Sequence, residues 1–185
     1  MAQDKLHAQK VELRARLLAD RKTCGDGHSS ELISLVEKHG FRLVAAYANF
    51  GTEPSTQSFL DWAVEAGVTV LLPRVANDSE LDWHRYEANR LGRGALGIPE
   101  PTGLSQTLDR VELMIVPAVA VGRDGTRLGR GKGYYDRALE SVTCPTVALV
   151  HDGELLDSVP HEEHDVAVDA VVTCSATVFL NQRLN

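Results

Sequence analysis

A glycine-rich, basic stretch carries the residues best suited to chemistry. It reads Gly125-Thr126-Arg127-Leu128-Gly129-Arg130-Gly131-Lys132-Gly133-Tyr134-Tyr135-Asp136-Arg137. Residues 126–137 hold four cations against one carboxylate, a local charge of +3, whereas the whole chain carries −7. Glycines let a backbone approach a ligand closely, and backbone amides together with cations bind anions. The stretch therefore predicts an anion site; the alternative is a surface loop with solvated charges.

Two common phosphate-binding motifs do not describe this loop. A Walker A loop ends in Gly-Lys-Ser/Thr, whereas Lys132 is followed by Gly133 and Tyr134. A dinucleotide fingerprint would place Gly-x-Gly-x-x-Gly after the first strand, and no such run occurs there. The loop by itself leaves the function open.

Composition narrows the class of protein. A chain of 185 residues with 43% hydrophobic and 24% charged residues fits one soluble domain. A pI near 5.5 argues against general nucleic-acid binding, and no apolar run approaches a membrane span. The charged N-terminal stretch does not resemble a signal peptide, so we expect a cytoplasmic protein. Cys24, Cys144 and Cys174 lack metal-site spacing and are interpreted as thiols in a reducing compartment.

Helices and strands are predicted to alternate along the chain. Periodicity and terminator residues predict helices over residues 3–21, 29–39, 56–66 and 134–141. Apolar runs predict strands over 42–48, 68–72 (ended by Pro73), 81–87 (an edge strand), 111–116, 146–150 and 168–173. Residues 89–106 are predicted to form a long loop. This order predicts a single-domain α/β fold with a mostly parallel sheet, helices on both faces, and ligands beyond the carboxyl ends of the strands.

The first helix places three cations inside its apolar arc. Leu13 and Leu17 belong to that arc, and so do Lys10, Arg14 and Arg21. Cations that point toward the body of a protein need an anion or a water-filled cleft. The alternative is that their long side chains lie along apolar surface with the charged ends in water. The pattern by itself does not choose between these two interpretations.

Taken together, the ordered motifs resemble the 5-formyltetrahydrofolate cyclo-ligase family, also called 5,10-methenyltetrahydrofolate synthetase. The resemblance rests on Lys10-Val11-Glu12-Leu13-Arg14, Tyr47 through Glu53-Pro54-Ser55-Thr56, Gly97-Ile98-Pro99-Glu100-Pro101, Val116-Pro117, Gly125 to Asp136, and Pro160 to Asp169. Residues 127–136 are its most specific part. The chain departs from the family pattern at Glu53-Pro54-Ser55-Thr56 and at Glu154, where the family often has Gln. These departures concern the contacts to the pterin and leave the reaction class as it is.

The reaction that the resemblance implies couples ATP to ring closure. It converts 5-formyltetrahydrofolate, which can carry a polyglutamate tail, to 5,10-methenyltetrahydrofolate with release of ADP and phosphate. A formamide carbonyl is a poor electrophile, so transfer of the γ-phosphoryl group to its oxygen would create a leaving group before N10 attacks the carbon. Catalysis of such a transfer is mainly positioning and charge stabilisation, with Mg²⁺ as cofactor. The resemblance further implies small-molecule substrates, and we expect a monomer.

The resemblance also implies roles for individual residues. Catalysis falls to Arg130, Lys132 and Tyr134, with Arg130 stabilising the transferring group. Nucleotide contact falls to Lys10, Arg14, Arg127, Leu128, Gly129, Arg130, Gly131, Lys132, Gly133, Tyr134 and Tyr135. Folate contact falls to Ala48, Glu53, Arg130 and Tyr134. Magnesium binding is assigned to Asp136 and Asp169. Asp165 lies close to Asp169 in the sequence and is the alternative for the second carboxylate.

Each role has a simpler alternative. The glycines could form a tight turn, the loop cations could be solvated, and Tyr135 could pack in the core. Asp136 could be an acid favoured by the dipole of a helix start, and Glu53 an ordinary acid before a helix. His151, His161 and His164 lack paired metal spacing and receive no role.

Two other functions remain open on the sequence. One is an isomerase or a CoA-transferase-like enzyme on a similar fold, which would use a carboxylate base and no nucleotide. The other is a folate- or nucleotide-binding regulator without turnover. Incubation with ATP, magnesium and 5-formyltetrahydrofolate would distinguish them, because only a cyclo-ligase forms the near-ultraviolet-absorbing methenyl product.

Overall fold

An eight-stranded sheet forms the centre of the computed structural model, which describes residues 2–21, 25–76, 80–88, 90–94, 97, 99–162 and 165–184. The helices are α1 (Ala2–Asp20), α2 (Gly27–His39), α3 (Gln57–Glu65) and α4 (Tyr134–Glu140), with 3-10 turns at Asp152–Glu154 and Gln182–Leu184. The strands are β1 (Leu43–Ala45), β2 (Thr69–Val75), β3 (Leu81–Arg85), β4 (Leu91–Arg93), β5 (Pro99–Pro101), β6 (Ser105–Gln106), β7 (Leu113–Pro117), β8 (Ala120–Gly122), β9 (Arg127–Leu128), β10 (Thr146–Leu149), β11 (Leu155–Leu156), β12 (Ala170–Val172) and β13 (Thr177–Phe179). Predictions that fall on Cys24, Ile98 and His164 lie outside the described residues.

The middle of the main sheet is parallel and its edges are antiparallel. The strand order is β13-β12-β10-β7-β1-β2-β3-β6. The pairs from β12 through β2 are parallel, whereas β13, β3 and β6 pair antiparallel with their neighbours. Every residue of β10 is buried, as expected where helices cover both faces of a sheet. The predicted mostly parallel α/β sheet is confirmed.

Helices cover both faces of this sheet. Leu32 of α2 and Phe59 of α3 belong to an apolar cluster that includes Val44 of β1. Leu139 of α4 belongs to a second cluster, which includes Ala45. Because successive side chains of a strand point to opposite faces, these neighbours in β1 place α2 and α3 on one face and α4 on the other.

The strand order reverses at β1. From β1 the chain adds β2 on one side, and later returns to add β7 on the other side. In open α/β sheets the carboxyl ends of the strands at such a reversal leave a crevice, because the connections depart in opposite directions. The crevice here lies after Ala45 and after Pro117.

Helix α1 packs beside this edge, as its periodicity predicts. Leu13 and Leu17 pack against a small buried cluster of Ala120, Leu128 and Val159. Within the part of the chain that is described, none of the helices combines the length and the apolar character that crossing a bilayer requires.

The structure differs from the sequence-based prediction at Pro73. Strand β2 does not end before this residue but continues to Val75, with Pro73 opposite Trp83 of β3. On the other side, β1 pairs with β2 only as far as Leu71, whose carbonyl accepts a hydrogen bond from Ala46. Pro73 faces that same side two residues later, beyond the end of β1, so its missing N–H removes no ladder hydrogen bond.

The segment predicted as a long loop also contains strands. Within residues 89–106, β4 and β5 form an antiparallel hairpin and β6 pairs with β3. The prediction was wrong here because glycines and prolines dominate the local pattern, while the pairing partners lie in other parts of the chain.

The cysteines behave differently from one another. Cys144 is a free, buried thiol, whereas Cys174 is disulfide-bonded, contrary to the prediction that all the cysteines are thiols. Burial raises the pKa of the Cys144 thiol from 9.0 to about 11. As pH rises through this interval the unfolded thiol ionises first, so the unfolded state binds fewer protons than the native state.

The free energy of unfolding is therefore expected to fall between pH 9 and pH 11. Denaturant titrations at several pH values would measure this slope in the wild type and in C144A. The variant should show a shallower slope. Identical slopes would mean that the Cys144 thiol does not contribute to the pH dependence.

Candidate active site

An open cleft of about 180 Å³ lies at the reversal of the sheet. Tyr47 and Ala48, which follow β1, form part of its wall, and Pro117 and Ala118 at the end of β7 form another part. The glycine-rich stretch completes it. Most of the predicted site residues line this one cleft: Ala48, Glu53, Arg127, Gly129, Arg130, Gly131, Lys132, Gly133, Tyr134, Tyr135 and Asp136.

The glycine-rich stretch adopts backbone conformations that favour glycine. Gly131 and Gly133 have φ values of +92° and +72°, a region that other residues rarely enter. Gly129 is needed for a different reason, because a Cβ there would lie 2.7 Å from Nη1 of Arg127. The glycines thus allow a tight turn over a buried arginine, and they leave the backbone of the turn beside the cleft.

Arg130 and Glu53 join the two halves of the site. Nε of Arg130 donates to Oε1 of Glu53 over 2.8 Å, and Oε2 of Glu53 accepts the backbone N–H of Phe50 at 2.9 Å. The Glu53 side chain is only 11% exposed, whereas the Arg130 side chain is 43% exposed. The glycine loop and the segment after β1 therefore meet through an ion pair with a solvent-accessible cation.

Arg127 lies beneath the loop rather than above it. Its side chain is 3% exposed, its Nη1 donates to the carbonyl of Pro117 at 3.1 Å, and its Nη2 contacts Oδ1 of Asp136. The guanidinium also lies 5.9 Å from the centroid of the Tyr135 ring. Asp136 is 43% exposed and faces the cleft, so one carboxylate both neutralises a buried arginine and stays accessible.

The cations of α1 reach the loop or its neighbours. Arg14 donates from Nε to the carbonyl of Gly129 at 2.7 Å, and Nζ of Lys10 pairs with Asp165 at 2.9 Å. Burial lowers the pKa of Arg14, while the nearby carboxylates of Asp136 and Asp165 oppose that shift. Of the two interpretations left open by the sequence, contact with anionic and polar groups fits these side chains better than snorkelling.

The neighbouring tyrosines Tyr134 and Tyr135 have different surroundings. The Tyr134 ring lies 5.7 Å from the guanidinium carbon of Arg137 and lines the cleft beside Lys132, which is exposed. Tyr135 also lines the cleft, but its ring packs edge-on against Trp83 at 6.4 Å and joins both apolar clusters. Burial raises the pKa of the Tyr135 hydroxyl, so this side chain stays neutral. Core packing, the alternative weighed from the sequence, accounts for much of Tyr135.

Besides Lys10 and Arg14, which reach the loop or its neighbours from α1, two predicted site residues do not line the cleft. Asp169 is 3% exposed, and its carboxylate accepts hydrogen bonds from the backbone N–H of Thr146 at 2.7 Å and from the side-chain amide of Asn181 at 2.7 Å. It also lies 3.3 Å from Arg183. These donors engage the carboxylate within the fold, away from the cleft, so the placement of Asp169 does not favour the expected magnesium role.

Leu128 is the second. Its side chain is 1% exposed and packs against Ala120 and Val159, and its carbonyl accepts the N–H of Val119 at 2.8 Å. Leu128 belongs to β9, the strand that leads into the glycine loop. Because successive side chains of a strand point to opposite faces, the side chain of Leu128 points away from that of Arg127. A nucleotide contact through the Leu128 side chain does not fit this placement.

Sequence reasoning missed the apolar wall of the cleft. The residues that form it are Pro73 and Val75 of β2, Leu81 of β3 and Pro99 of β5. The rule that ligands bind beyond the carboxyl ends of parallel strands could have indicated the end of β2. The segment that contributes Pro99 was part of the family resemblance, as Gly97-Ile98-Pro99-Glu100-Pro101, but received no site role.

A buried ion pair behind the cleft was also missed. Arg21 makes two hydrogen bonds to Glu154, at 2.6 and 2.9 Å, and a third to the carbonyl of Ala118 at 2.9 Å. The side chains are 0% and 6% exposed. Glu154 in turn accepts the backbone N–H of His151 at 2.9 Å. Arg21 thereby connects the end of α1 to Ala118, which lines the cleft. In the sequence, this ion pair was indicated only by the position of Arg21 inside the apolar arc of the first helix.

Comparisons with known proteins agree with this arrangement. The model of the 5-formyltetrahydrofolate cyclo-ligase family matches residues 6–174. A 5-formyltetrahydrofolate cyclo-ligase from Mycolicibacterium smegmatis is 37% identical over 180 residues, covering 89% of this chain and 93% of the relative. One from Escherichia coli K12 is 34% identical over 143 residues, covering 71% and 78%.

Solved structures resemble the fold as well. The 5,10-methenyltetrahydrofolate synthetase of Aquifex aeolicus superposes with a TM-score of 0.80 at 29% identity, covering 94% of this chain and 93% of that one. The synthetase of Mycoplasma pneumoniae, at 21% identity and a TM-score of 0.71, covers 88% and 97% and shares the fold. With the family match extending over nearly the whole chain, the protein belongs to the 5-formyltetrahydrofolate cyclo-ligase family.

Proposed function

We propose that this chain catalyses the ATP-dependent closure of 5-formyltetrahydrofolate to 5,10-methenyltetrahydrofolate, with release of ADP and phosphate. The enzyme class follows from its family. The observation that carries the proposal is the contact of Arg130 with Glu53, because it brings a cation of the glycine loop and a carboxylate of the segment after β1 into one cleft.

The glycine loop is proposed to hold the phosphates of ATP. Arg130 and Lys132 are the accessible cations of the loop that line the cleft, and Gly131 and Gly133 leave the backbone without side chains between them. Arg14 lies against the loop backbone from the α1 side. Backbone amides and flexible or planar cations are the groups that bind phosphate oxygens.

The apolar wall is proposed to hold the folate. The apolar side chains of Pro73, Val75 and Leu81 would contact its aromatic rings. Glu53 would accept hydrogen bonds from pterin N–H donors, for which a carboxylate is a natural partner. To do so, Glu53 would exchange its contact with Arg130 for the pterin, and Arg130 would turn to the γ-phosphate.

The proposed reaction has two steps, phosphoryl transfer and ring closure. The formyl oxygen attacks the γ-phosphorus, the bond to ADP breaks, and the oxygen becomes part of a phosphate ester. N10 then attacks the activated carbon, loses its proton, and expels phosphate. Arg130 and Lys132 would stabilise the charge on the transferring group, and Tyr134 would orient it at the junction of the substrates.

Magnesium fits one position in the cleft. Asp136 presents an accessible carboxylate oxygen beside the loop that is proposed to bind phosphate, and hard oxygen ligands suit Mg²⁺. Asp165, the alternative to Asp169, accepts hydrogen bonds at Oδ2 from Lys10 and from the Glu162 N–H, both at 2.9 Å, so Asp136 is the carboxylate proposed to bind Mg²⁺. A bound Mg²⁺ would offset phosphate charge, while Arg127 holds Asp136 in place.

The substitution D136N tests this magnesium assignment. Loss of a directly ligating charge is expected to raise the half-saturating Mg²⁺ concentration by at least about tenfold, as removal of even outer ligands does. Rates measured over a magnesium series at saturating ATP would show the shift. If Asp136 serves only to neutralise Arg127, the melting temperature will fall while the magnesium dependence stays unchanged.

The function itself is tested by turnover. Purified protein with ATP, Mg²⁺ and 5-formyltetrahydrofolate should produce the near-ultraviolet absorbance of the methenyl product and an equal amount of ADP. Binding of both substrates without product would favour a regulator. Activity on another substrate without nucleotide would favour an isomerase or a transferase.

We further propose that the enzyme acts as a monomer in the cytoplasm and accepts polyglutamylated folate. The acidic whole chain, with its cations gathered at the cleft, supports small anionic substrates.

A further inference from the structure

A carboxylate without a role in the proposed reaction lies at the apolar wall of the cleft. Glu100 of β5 lines the cleft together with Pro73, Val75 and Leu81. Its side chain belongs to a half-buried residue, next to the exposed Pro99. A charged group among apolar side chains loses part of its hydration, so it needs hydrogen-bond donors in return.

The open edge of β2 explains why Glu100 lies there. Strand β1 pairs with β2 only as far as Leu71, so the same side of β2 has no strand beside it farther along. Pro73 has no N–H to offer on that side. Val75, two residues later, faces the same side and donates its backbone N–H to Oε1 of Glu100 at 3.4 Å. The hairpin of β4 and β5 therefore brings a carboxylate to the crevice where β1 has ended.

Gly94 leaves room for the Glu100 side chain. A Cβ at position 94 would overlap the Cγ, Cδ and Oε1 atoms of Glu100. The carboxyl group thus packs directly on the backbone that follows β4. It is held between this backbone and the edge of β2.

Glu100 has acceptor capacity left for a ligand. An ionised carboxylate offers about four lone-pair sites, and the contact with Val75 is longer than the usual N–H···O distance of about 2.9–3.0 Å. Within the described part of the chain, this is the one hydrogen bond that the Glu100 side chain makes, and no lysine or arginine pairs with it. Glu53 differs, because Arg130 and the N–H of Phe50 already engage both of its oxygens.

The ligand that fits such a group carries two adjacent N–H donors on a flat apolar ring. The pterin of a folate has this pair, in its 2-amino group and N3–H. The pair resembles the fork of an arginine side chain, which carboxylates bind through two parallel hydrogen bonds. Adenine does not fit, because its amino group lies beside N1, an acceptor that a carboxylate would repel.

We propose that Glu100 binds the 2-amino and N3–H groups of the pterin and thereby directs the ring onto the apolar wall. Glu100 would serve the reaction proposed above, so the inference rests on that function and adds a substrate-binding residue to it. The pterin carries further N–H donors, so Glu53 and Glu100 need not compete for one group.

The substitution E100Q tests this role by equilibrium binding. Glutamine keeps the size and one acceptor oxygen for Val75, but it replaces the second acceptor by a donor. Calorimetric titration with 5-formyltetrahydrofolate, without ATP, should show affinity weakened by about 10- to 100-fold, the usual effect of losing a hydrogen bond to a charged group. In rate measurements the KM for the folate should rise, while kcat and the KM for ATP change little.

E87Q is the matched control. Glu87 is an exposed acid that pairs with Arg90 at the surface, so its substitution should leave folate binding unchanged. Equal affinities of E100Q and the wild type for 5-formyltetrahydrofolate would overturn the proposal. A raised KM for ATP alone would do so as well, because it would place the nucleotide on the apolar wall.

A modified ligand makes the test specific to the pterin edge. The 2-desamino-2-methyl analogue of 5-formyltetrahydrofolate lacks the amino donor, and the wild type should bind it at least about tenfold more weakly than the natural folate. The difference should be much smaller in E100Q, since the partner of that donor is already changed. The same difference in both proteins would refute the contact. So would equal binding of the two ligands by the wild type, a result that does not depend on the folding of any variant.

Failure of this contact is distinguishable from failure of the proposed reaction. A wild type that does not bind 5-formyltetrahydrofolate would overturn both. A wild type that binds and converts it, beside an E100Q variant of equal folate affinity, would overturn the role of Glu100 alone.

Discussion

R130A is expected to lower kcat by about 10²- to 10³-fold, the usual effect of removing a group that stabilises transition-state charge. The KM values for ATP and for 5-formyltetrahydrofolate should change little, because such a group acts mostly in the transition state. Arg130 is suited to this because its guanidinium is 43% exposed at the cleft. Initial rates over a matrix of both substrate concentrations would measure the three constants.

R123A is the control for the loss of an arginine near the loop. Arg123 is 62% exposed and pairs with the fully exposed Asp157, so its removal should leave kcat unchanged. A raised KM with an unchanged kcat in R130A would show that Arg130 only binds substrate.

A double-mutant cycle with E53Q separates two explanations for Arg130. If Arg130 acts only through its ion pair with Glu53, R130A should cost much less in the E53Q background, because the charge of that pair is already lost. If Arg130 stabilises the transferring phosphoryl group, the loss in kcat should persist in that background. The second result is expected. E53Q itself should act mainly on the KM for the folate.

E154A is expected to reduce the free energy of unfolding by about 3–5 kcal/mol, the cost of leaving a buried charge without its partner. The Arg21 side chain is 0% exposed, and its Nε and Nη2 atoms both donate hydrogen bonds to the Glu154 carboxylate. Its removal also deprives the His151 N–H of an acceptor. Urea unfolding followed by circular dichroism would give the free energy and the m-value.

D157A is the matched control, since it breaks an acid–arginine pair at the surface. Asp157 and Arg123 are exposed, and such pairs contribute about 0–1 kcal/mol. The double variant R21M/E154L should recover much of the stability lost in E154A, because no charge is left buried. Equal losses in E154A and D157A would contradict the assignment of a buried pair.

The local features of this fold were predictable because they follow from neighbouring residues. The 3.6-residue pattern of α1 and the apolar run of β10 matched the structure within a few positions. Gly40 ends α2 with a φ of +68°, as a C-terminal glycine should. The predicted end of β2 at Pro73 was wrong, because whether a strand tolerates proline depends on where the neighbouring strand ends.

For the site, the sequence determined which residue types are present and what they could bind: a basic glycine loop with Asp136 at its end predicts phosphate chemistry. Tertiary structure decided which side chains meet. Arg130 contacts Glu53 across 77 positions, and Lys10 contacts Asp165 across 155. It likewise turned Asp169 and Leu128 inward and placed Glu100 beside Val75. Local spacing specifies helix faces and turns, but contacts between distant segments depend on strand order and packing, which no short window contains.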